Sequence, residues 1–332
     1  GSGWPDAVLP GEVDDISGAG DVDGDGTPDL VAGQASAGPE WSGEAWIFFL
    51  NADGTFREAS AGLASSANAS LGEGDAFGQG VAGLGDLDGD GIPDLAVGAA
   101  QARRNPPKQV GPGYLMVLFL KRDGSVRAAQ KISETEGGFT YPLDNWDRFG
   151  MRPTFMGWHR GAARLAVGAR GDDDGANGAG AVYILDLNTD GTVAAQQKLS
   201  STSGDLALPL FTQSRFGEYL SNAGDVDLDG VNDLLAGFPL VRVGESEDAE
   251  EHGAFFVIFL DDDGRARSHQ GFSEPNANLP FPEDSRSRLG SVAGLLDANG
   301  DGYLEFAVGA RHSSTSATNF SGIVHVLQHL IP

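Results

Sequence analysis

Cysteine is absent from this 332-residue chain, so there is no disulfide framework and no thiol nucleophile, and cysteine usage says nothing about redox compartment. No apolar run reaches the roughly 18 residues needed to cross a membrane as a helix. Basic residues are scarce, 21 Lys and Arg against 48 Asp and Glu. The resulting formal charge of −27 disfavours nucleic acid as a partner, because phosphates are bound by basic stripes. Enzyme signatures are missing too. There is no Gly-x-Ser-x-Gly elbow and no phosphate-binding glycine loop leading into a helix. The six histidines (His159, His252, His269, His312, His325 and His329) show no zinc spacing. Carboxylates are plentiful but clustered, so no glycosidase pair stands out. No catalytic residue is assigned, and a non-enzyme is expected. No segment shows a helical period. No targeting segment is visible, and the opening Gly1-Ser2 looks like a cloning remnant, so the natural N-terminus is expected to lie elsewhere.

What the chain does have is glycine, 50 residues without collagen's three-residue period, and 40% hydrophobic residues, enough for a packed core. It also has a recurring acidic loop. Asp86, Asp88, Asp90 and Asp94 occupy positions 1, 3, 5 and 9 of one stretch, with Gly91 at position 6 where the chain must bend, and Leu95-Ala96-Val97-Gly98-Ala99 follows directly. Hard cations such as calcium take six to eight oxygens at short range, and a tight loop converges that many acids. Without a cation, carboxylates held so close repel one another. The pattern recurs as Asp21, Asp23, Asp25 and Asp29, as Asp225, Asp227, Asp229 and Asp233, and as Asp297, Asn299, Asp301 and Glu305. An EF-hand would need Glu at position 12 and flanking helices. Position 12 is Ala32, Val97, Ala236 or Val308, and the flanks are glycine-rich or β-like, so the EF-hand is excluded. Four bound calcium ions would bring the formal charge to about −19.

The residue after each loop sets a register of Leu30, Leu95, Leu165, Leu234 and Phe306, with gaps of 65, 70, 69 and 72 residues. A β-rich period of this length points to a propeller or array. Each unit continues with an apolar run (45–50, 113–120, 180–187, 253–260 and 322–330). In the first four, that run meets an Asp-Gly turn (Asp53-Gly54, Asp123-Gly124, Asp190-Gly191, Asp263-Gly264), a strong hairpin signal. A polar alternating segment follows, as an outer strand with one wet face would. Phe77-Gly78, Phe149-Gly150, Phe216-Gly217 and Leu289-Gly290 mark the joints between units. The expected fold is all-β, a propeller of four-stranded antiparallel blades, five blades from repeats of approximately 10–70, 71–142, 143–210, 211–282 and 283–332. Because the fifth unit stops after its third strand, Trp4–Leu9 is expected to supply the missing outer strand and close the last blade.

Phe-Gly, the acidic loop and Val-Gly-Ala in fixed order resemble the FG-GAP repeat of integrin alpha-subunit propellers and their bacterial and algal relatives. The resemblance spans essentially the whole chain, although integrin propellers have seven blades. It implies calcium loops that join strands within a blade, away from the usual ligand face. Carried over by position, side-chain ligands are positions 1, 3, 5 and 9, the residues given above, and position 7 gives a backbone carbonyl: Thr27, Ile92, Val231 and Tyr303. The third repeat departs from the pattern. Met156, Trp158, Arg160 and Arg164 stand at its ligand positions, so about four Ca2+ ions are expected and none in that repeat.

Calcium is continuously abundant outside cells, so an extracellular, secreted or cell-surface location is expected. The corresponding function is a calcium-stabilised binding or adhesion module, a domain of a larger chain that meets a protein or glycan ligand at a cell surface or matrix. A carbohydrate-binding or polysaccharide-processing propeller domain of a larger enzyme is the alternative. The insertions 34–43, 101–113, 238–252 and 311–321 are expected on one face, where binding usually resides, with Trp41 as a candidate aromatic anchor. One of them is basic (Arg103, Arg104, Lys108) and another acidic (Glu245, Glu247, Asp248, Glu250, Glu251). Arg170-Gly171-Asp172, the tripeptide that integrins recognise in their ligands, lies in a polar loop expected to be exposed, although turn chemistry accounts for it adequately.

Overall fold

The computed structural model describes residues 12–66, 71–101, 103–104, 109–208, 210–238, 253–273, 289–301, 304–310 and 323–327. In chain order these form β1 (Asp15–Gly20), β2 (Asp29–Gln34), β3 (Glu44–Leu50) and β4 (Phe56–Ala59), then a single helical turn, α1 (Leu63–Ser66). The second group comprises β5 (Phe77–Gly85), β6 (Asp94–Ala99), a two-residue ribbon of β7 (Arg103–Arg104) and β8 (Gln109–Val110), β9 (Tyr114–Leu120) and β10 (Val126–Ile132). The third is β11 (Phe149–His159), β12 (Ala162–Ala169), β13 (Ala181–Leu187) and β14 (Val193–Leu199). The fourth is β15 (Tyr219–Gly224), β16 (Asp233–Phe238), β17 (Ala254–Leu260) and β18 (Ala266–Ser273). The last is β19 (Leu289–Leu296), β20 (Glu305–Ala310) and β21 (Ile323–Leu327).

Each group is one antiparallel sheet with its strands in sequential order, β7 and β8 pairing separately. The fold is an all-β propeller of five blades, four of them with all four strands described and the fifth with three. Residues 4–9, expected to close that blade, lie outside the described residues. Two compact units divide the chain, Gly1–Val167 with Leu185–Gln196, and Gly168–Ile184 with Gln197–Pro332. The first unit contains the first two blades, the second contains the last two, and the strands of the third are shared between them.

Turn chemistry fixes the blades. The Asp-Gly signal closes β3 onto β4: Gly54 takes a φ of 77° and donates to the Asn51 carbonyl at 2.7 Å, while Asp53 Oδ1 accepts the Thr55 amide at 3.0 Å. Asp123 and Asp190 repeat that side-chain bond with Ser125 and Thr192. Inner strands are apolar on both faces: all seven residues of β9 are buried, whereas β10 is buried only at its two ends and exposed or half-buried between them. Neighbouring sheets therefore bury their faces against each other. In the first unit Val31, Ile47, Phe49, Phe77, Val97 and Leu118 form one such layer, and in the second Leu235, Phe255, Val257, Phe306 and Val308 form another.

Phe77, Phe149, Phe216 and Leu289 are fully buried, each contributing about 1.5–3 kcal/mol from burial. Each also makes a parallel bridge with the glycine that precedes the third strand of the blade before it: Gly43, Gly113, Gly180 and Gly253. The glycine after the aromatic explains the other half of the motif. A Cβ on Gly33 or Gly98, in the second strand of one blade, would collide with the backbone of Gly78 or Gly150 in the next. First strands crowd similarly, Gly83 against the Gly18 carbonyl and Gly294 against that of Asn222. A side chain at these positions would force the blades apart.

Candidate metal centres

The acidic loops lie between first and second strands: 21–28 joins β1 to β2, 86–93 joins β5 to β6, 225–232 joins β15 to β16, and 297–304, of which 302 and 303 lie outside the described residues, separates β19 from β20. Position 9 is the first residue of the second strand, which carries its carboxylate into the blade. Asp29, Asp94, Asp233 and Glu305 are at most 1% exposed. Each aspartate of the three staples two places together. Asp29 accepts the Val22 amide at 3.0 Å and the Leu50 amide at 3.0 Å, binding its own loop to the end of the third strand. Asp94 does the same with Leu87 and Leu120, and Asp233 with Val226 and Leu260. Glu305 accepts the Ala298 amide at 2.8 Å and the Asn299 side-chain amide at 3.1 Å.

Position 1 supports the bend. Asp21 accepts amides from Gly24 and Gly26 at 2.9 and 3.0 Å, and Asp225 those of Asp229 and Gly230, both at 2.9 Å. Positions 3 and 5 bond forward by two residues, as Asp25 Oδ1 does with the Thr27 amide at 2.8 Å. Carboxylate oxygens consequently converge within 4.8 Å of one another in four groups: Asp21, Asp23 and Asp29; Asp86, Asp88 and Asp90; Asp225, Asp227 and Asp229; Asp297, Asp301 and Glu305.

Burial pushes the Asp94 and Asp233 carboxyls up to about 7, and the neighbouring loop carboxylates push the same way; only backbone hydrogen bonds oppose. Asp29 is raised for the same first reason. Asp86 Oδ1 is buried and accepts no hydrogen bond. A buried carboxylate that resists ionisation beside two others, and an orphaned buried oxygen, are what a hard divalent cation would relieve, and an all-oxygen set suits one. The residues fit the ion.

The third repeat has no such loop. β11 and β12 run together as a hairpin around Arg160-Gly161, at φ of 51° and 86°, the left-handed pair of a type I′ turn. Met156 is buried, Trp158 is 52% exposed, and Arg164 at position 9 is 3% exposed. Arg164 Nε and Nη2 reach Asp186 Oδ1 and Oδ2 at 2.7 and 2.9 Å, a bidentate pair across β12 and β13. The blade fastens its second strand to its third with an ion pair where three of the others use an aspartate.

The geometry includes residues that the sequence reading passed over. Arg57 on β4 bonds Asp23 and Asp25, Arg127 on β10 bonds Asp88 and Asp90, and Arg267 on β18 bonds Asp227 and Asp229. Aligned on the Asp-Gly turns, all three arginines fall three residues after the glycine, where the third blade has Ala194. Asp186 falls where the others have Phe49, Phe119 and Phe259. That alignment was the available signal.

These repeats have known counterparts. Residues 21–97 match a family model described as FG-GAP-like repeat, and residues 289–327 one described as FG-GAP repeat. The chain is an integrin-like FG-GAP propeller. It is 28% identical to Integrin alpha-10 of Homo sapiens over 223 residues, 66% of this chain and 17% of that protein. Against Integrin alpha-PS5 of Drosophila melanogaster it is 38% identical over 132 residues, 40% of this chain and 11% of that one. Against Integrin alpha pat-2 of Caenorhabditis briggsae it is 37% identical over 104 residues, 31% of this chain and 8% of the other. This FG-GAP propeller thus spans less than a fifth of the curated relatives it matches.

Two other predicted features resolve differently. Asp172 of Arg170-Gly171-Asp172 is buried, 3% exposed, contrary to an exposed tripeptide. Its carboxylate accepts from Lys198 Nζ at 2.8 Å and the Tyr183 hydroxyl at 3.3 Å, and Arg170 pairs with Glu218 at 3.2 Å. Trp41 is exposed, as a docking aromatic would be. It sits at 71% exposure beside a cavity of about 580 Å³ lined by Asp14, Ser36, Glu40, Glu73, Gln79 and Gln101 among others. Glu40 and Trp41 both take left-handed φ, 53° and 64°. Tyr303, residues 239–252 and residues 311–322 lie outside the described residues, as does Lys108.

Proposed function

We propose that the FG-GAP propeller is a calcium-braced binding module of an extracellular or cell-surface protein, which meets a protein ligand through the loops that leave the second strand of each blade. The observation that carries this reading is the cavity beside Trp41. It lies at the far end of β2 from the acidic loop, so the rigid sheet separates a bracing end from a presenting end. Backbone at positions 40 and 41 is held where non-glycine residues rarely sit, a strain that tends to collect at binding sites. The resemblance to integrin alpha chains supports an adhesive role.

In this reading calcium is held by Asp21, Asp23, Asp25 and Asp29 with the Thr27 carbonyl, and by Asp86, Asp88, Asp90 and Asp94 with that of Ile92. Asp225, Asp227, Asp229 and Asp233 act with Val231, and Asp297, Asn299, Asp301 and Glu305 with Tyr303. Its contribution is to stability, since a loop that exists only in the folded chain turns binding energy into folding energy. A second reading, a glycan ligand, draws on the same cavity, where an indole face stands beside carboxylates and side-chain amides.

The test is a binding screen over immobilised matrix proteins and glycans with wild type and Trp41→Ala, in calcium and in chelator. Protein ligands retained by wild type in calcium and lost with Trp41→Ala support the proposal. Glycan hits alone move it to the second reading, and binding indifferent to Trp41 removes the cavity from it.

A further inference from the structure

Three blades share a device that the acidic loops alone do not require. A guanidinium from the fourth strand, Arg57, Arg127 or Arg267, reaches across its blade to the carboxylates at loop positions 3 and 5. Arg57 Nη1 lies 2.6 Å from Asp25 Oδ2, Arg127 Nη2 lies 3.2 Å from Asp90 Oδ2, and Arg267 Nη2 lies 3.1 Å from Asp229 Oδ2. Arg57 and Arg127 rest on the rings of Phe49 and Phe119, 5.5 and 5.7 Å from ring centroid to guanidinium carbon, which aims them. Where the loop is lost, all three parts change together. The third blade has Ala194 for the arginine, Asp186 for the phenylalanine and Arg164 for the position-9 acid. Among the four blades whose fourth strand is described, the arginine is present with the acidic loop and absent without it, which couples it to that loop's charge.

We infer that Arg57, Arg127 and Arg267 are resident counter-ions that compete with calcium for the loops. The inference rests on the reading that these loops bind calcium. In the first two blades both oxygens of the position-3 and position-5 carboxylates are engaged in the arginine-held state. Asp25 Oδ1 accepts the Thr27 amide at 2.8 Å and Asp90 Oδ1 that of Ile92 at 2.9 Å, while each Oδ2 faces the guanidinium. The loop is thereby kept in its folded shape without a metal. A divalent ion entering among the same oxygens meets a fixed positive charge a few ångströms away, which lowers its affinity. The arginine compensates incompletely, because among the described residues no guanidinium pairs with the buried Asp94 or Asp233. The two charges therefore trade places in stabilising one loop. The arginine keeps the fold through low calcium, and the ion tightens it when calcium is high.

The sign of the effect separates this from a positioning role. Deleting an arginine that merely orients the ligands would weaken calcium binding, whereas deleting a competitor strengthens it. The first loop also has the Arg122 guanidinium against Gly24, so the second and fourth blades give the cleaner test. The experiment is calcium calorimetry on the whole chain, comparing wild type, Arg127→Gln/Arg267→Gln and Arg127→Lys/Arg267→Lys, with melting in chelator and in excess calcium. Two sites of the Gln variant should tighten about tenfold, as expected for removing one positive charge beside a divalent ion. The other sites serve as the internal reference. In chelator the Gln variant should melt below wild type, and the Lys variant should stay near wild type in both measurements. A Gln variant that folds only in calcium supports the same conclusion. Unchanged or weaker calcium binding by the Gln variant overturns the inference. Absence of calcium binding by wild type would instead defeat the calcium reading on which it stands.

Discussion

Replacing Arg164 tests the physical logic of the third blade. Its guanidinium is 4% exposed and grips Asp186, itself 15% exposed, with two bonds of 2.7 and 2.9 Å. The Coulomb attraction of such a pair is about 4 kcal/mol at an effective dielectric near 20. Desolvating both ions offsets much of that, so the intact pair has a small net value. Removing one partner is different, because the other charge stays buried without compensation, at a cost of about 3–5 kcal/mol. Arg164→Met should therefore lower Tm by roughly 5–10 °C. The double variant Arg164→Met/Asp186→Phe, which installs the aromatic found at that place in three other blades, should recover to within about 1 kcal/mol of wild type. Thermal and denaturant melts in calcium and in chelator are the assay. The loss should be the same in both, since no ion is involved. A single variant that costs under about 1 kcal/mol, a double variant no better than the single, or a loss confined to calcium would refute the reasoning.

The chelated protein should have an unusual pH dependence. Asp94 and Asp233 titrate near 7 when folded, because burial raises them, and near 3.9 when unfolded. Between those values the native state holds the extra protons, so stability falls as pH rises, by up to about 1.4 kcal/mol per pH unit for each group. In chelator, Tm should be higher at pH 5.5 than at pH 7.5, and excess calcium should abolish or reverse that order; a chelated Tm that is lower at pH 5.5 contradicts the assignment. Asp172→Glu should lower Tm by disturbing the buried contacts to Lys198 and Tyr183, yet leave cell attachment unchanged. Loss of attachment by a variant that melts like wild type would reinstate the tripeptide as an adhesive site.

Local patterns were legible in the sequence. Asp-Gly turns, glycine-rich first strands and the loop spacing are signals within a few residues, and each formed the element it predicts. What stayed hidden depends on contacts between distant positions. Asp23 and Arg57 lie 34 residues apart, and Asp88 and Arg127 lie 39 apart. They meet only because the β-hairpins in between set the register. Arg164 was legible as a lost ligand, but its role needed Asp186, 22 residues on, which looked like an ordinary polar residue in an apolar strand. Asp172 misled for a related reason: a Gly/Asp-rich loop reads as solvated, and it is Lys198 from β14 and Tyr183 from β13 that partner the buried carboxylate. The fit of cations to the loops was suggested by spacing. The burial of position 9 follows from its place as the first residue of an inner strand.

The two-letter motifs that give these repeats their regularity are halves of one joint. Gly33 of one blade lies against Gly78 of the next, and Gly98 against Gly150. One copy of the repeat thus contributes the receiving half to its successor and the entering half to its predecessor. A duplication or deletion of a whole repeat leaves every remaining joint with both halves, wherever in the period the break falls. At the described joints, a whole repeat added or removed therefore sets no glycine against a side chain. A partial repeat, by contrast, would set a glycine against a side chain and fail there. Natural variation in this architecture should accordingly come in whole periods.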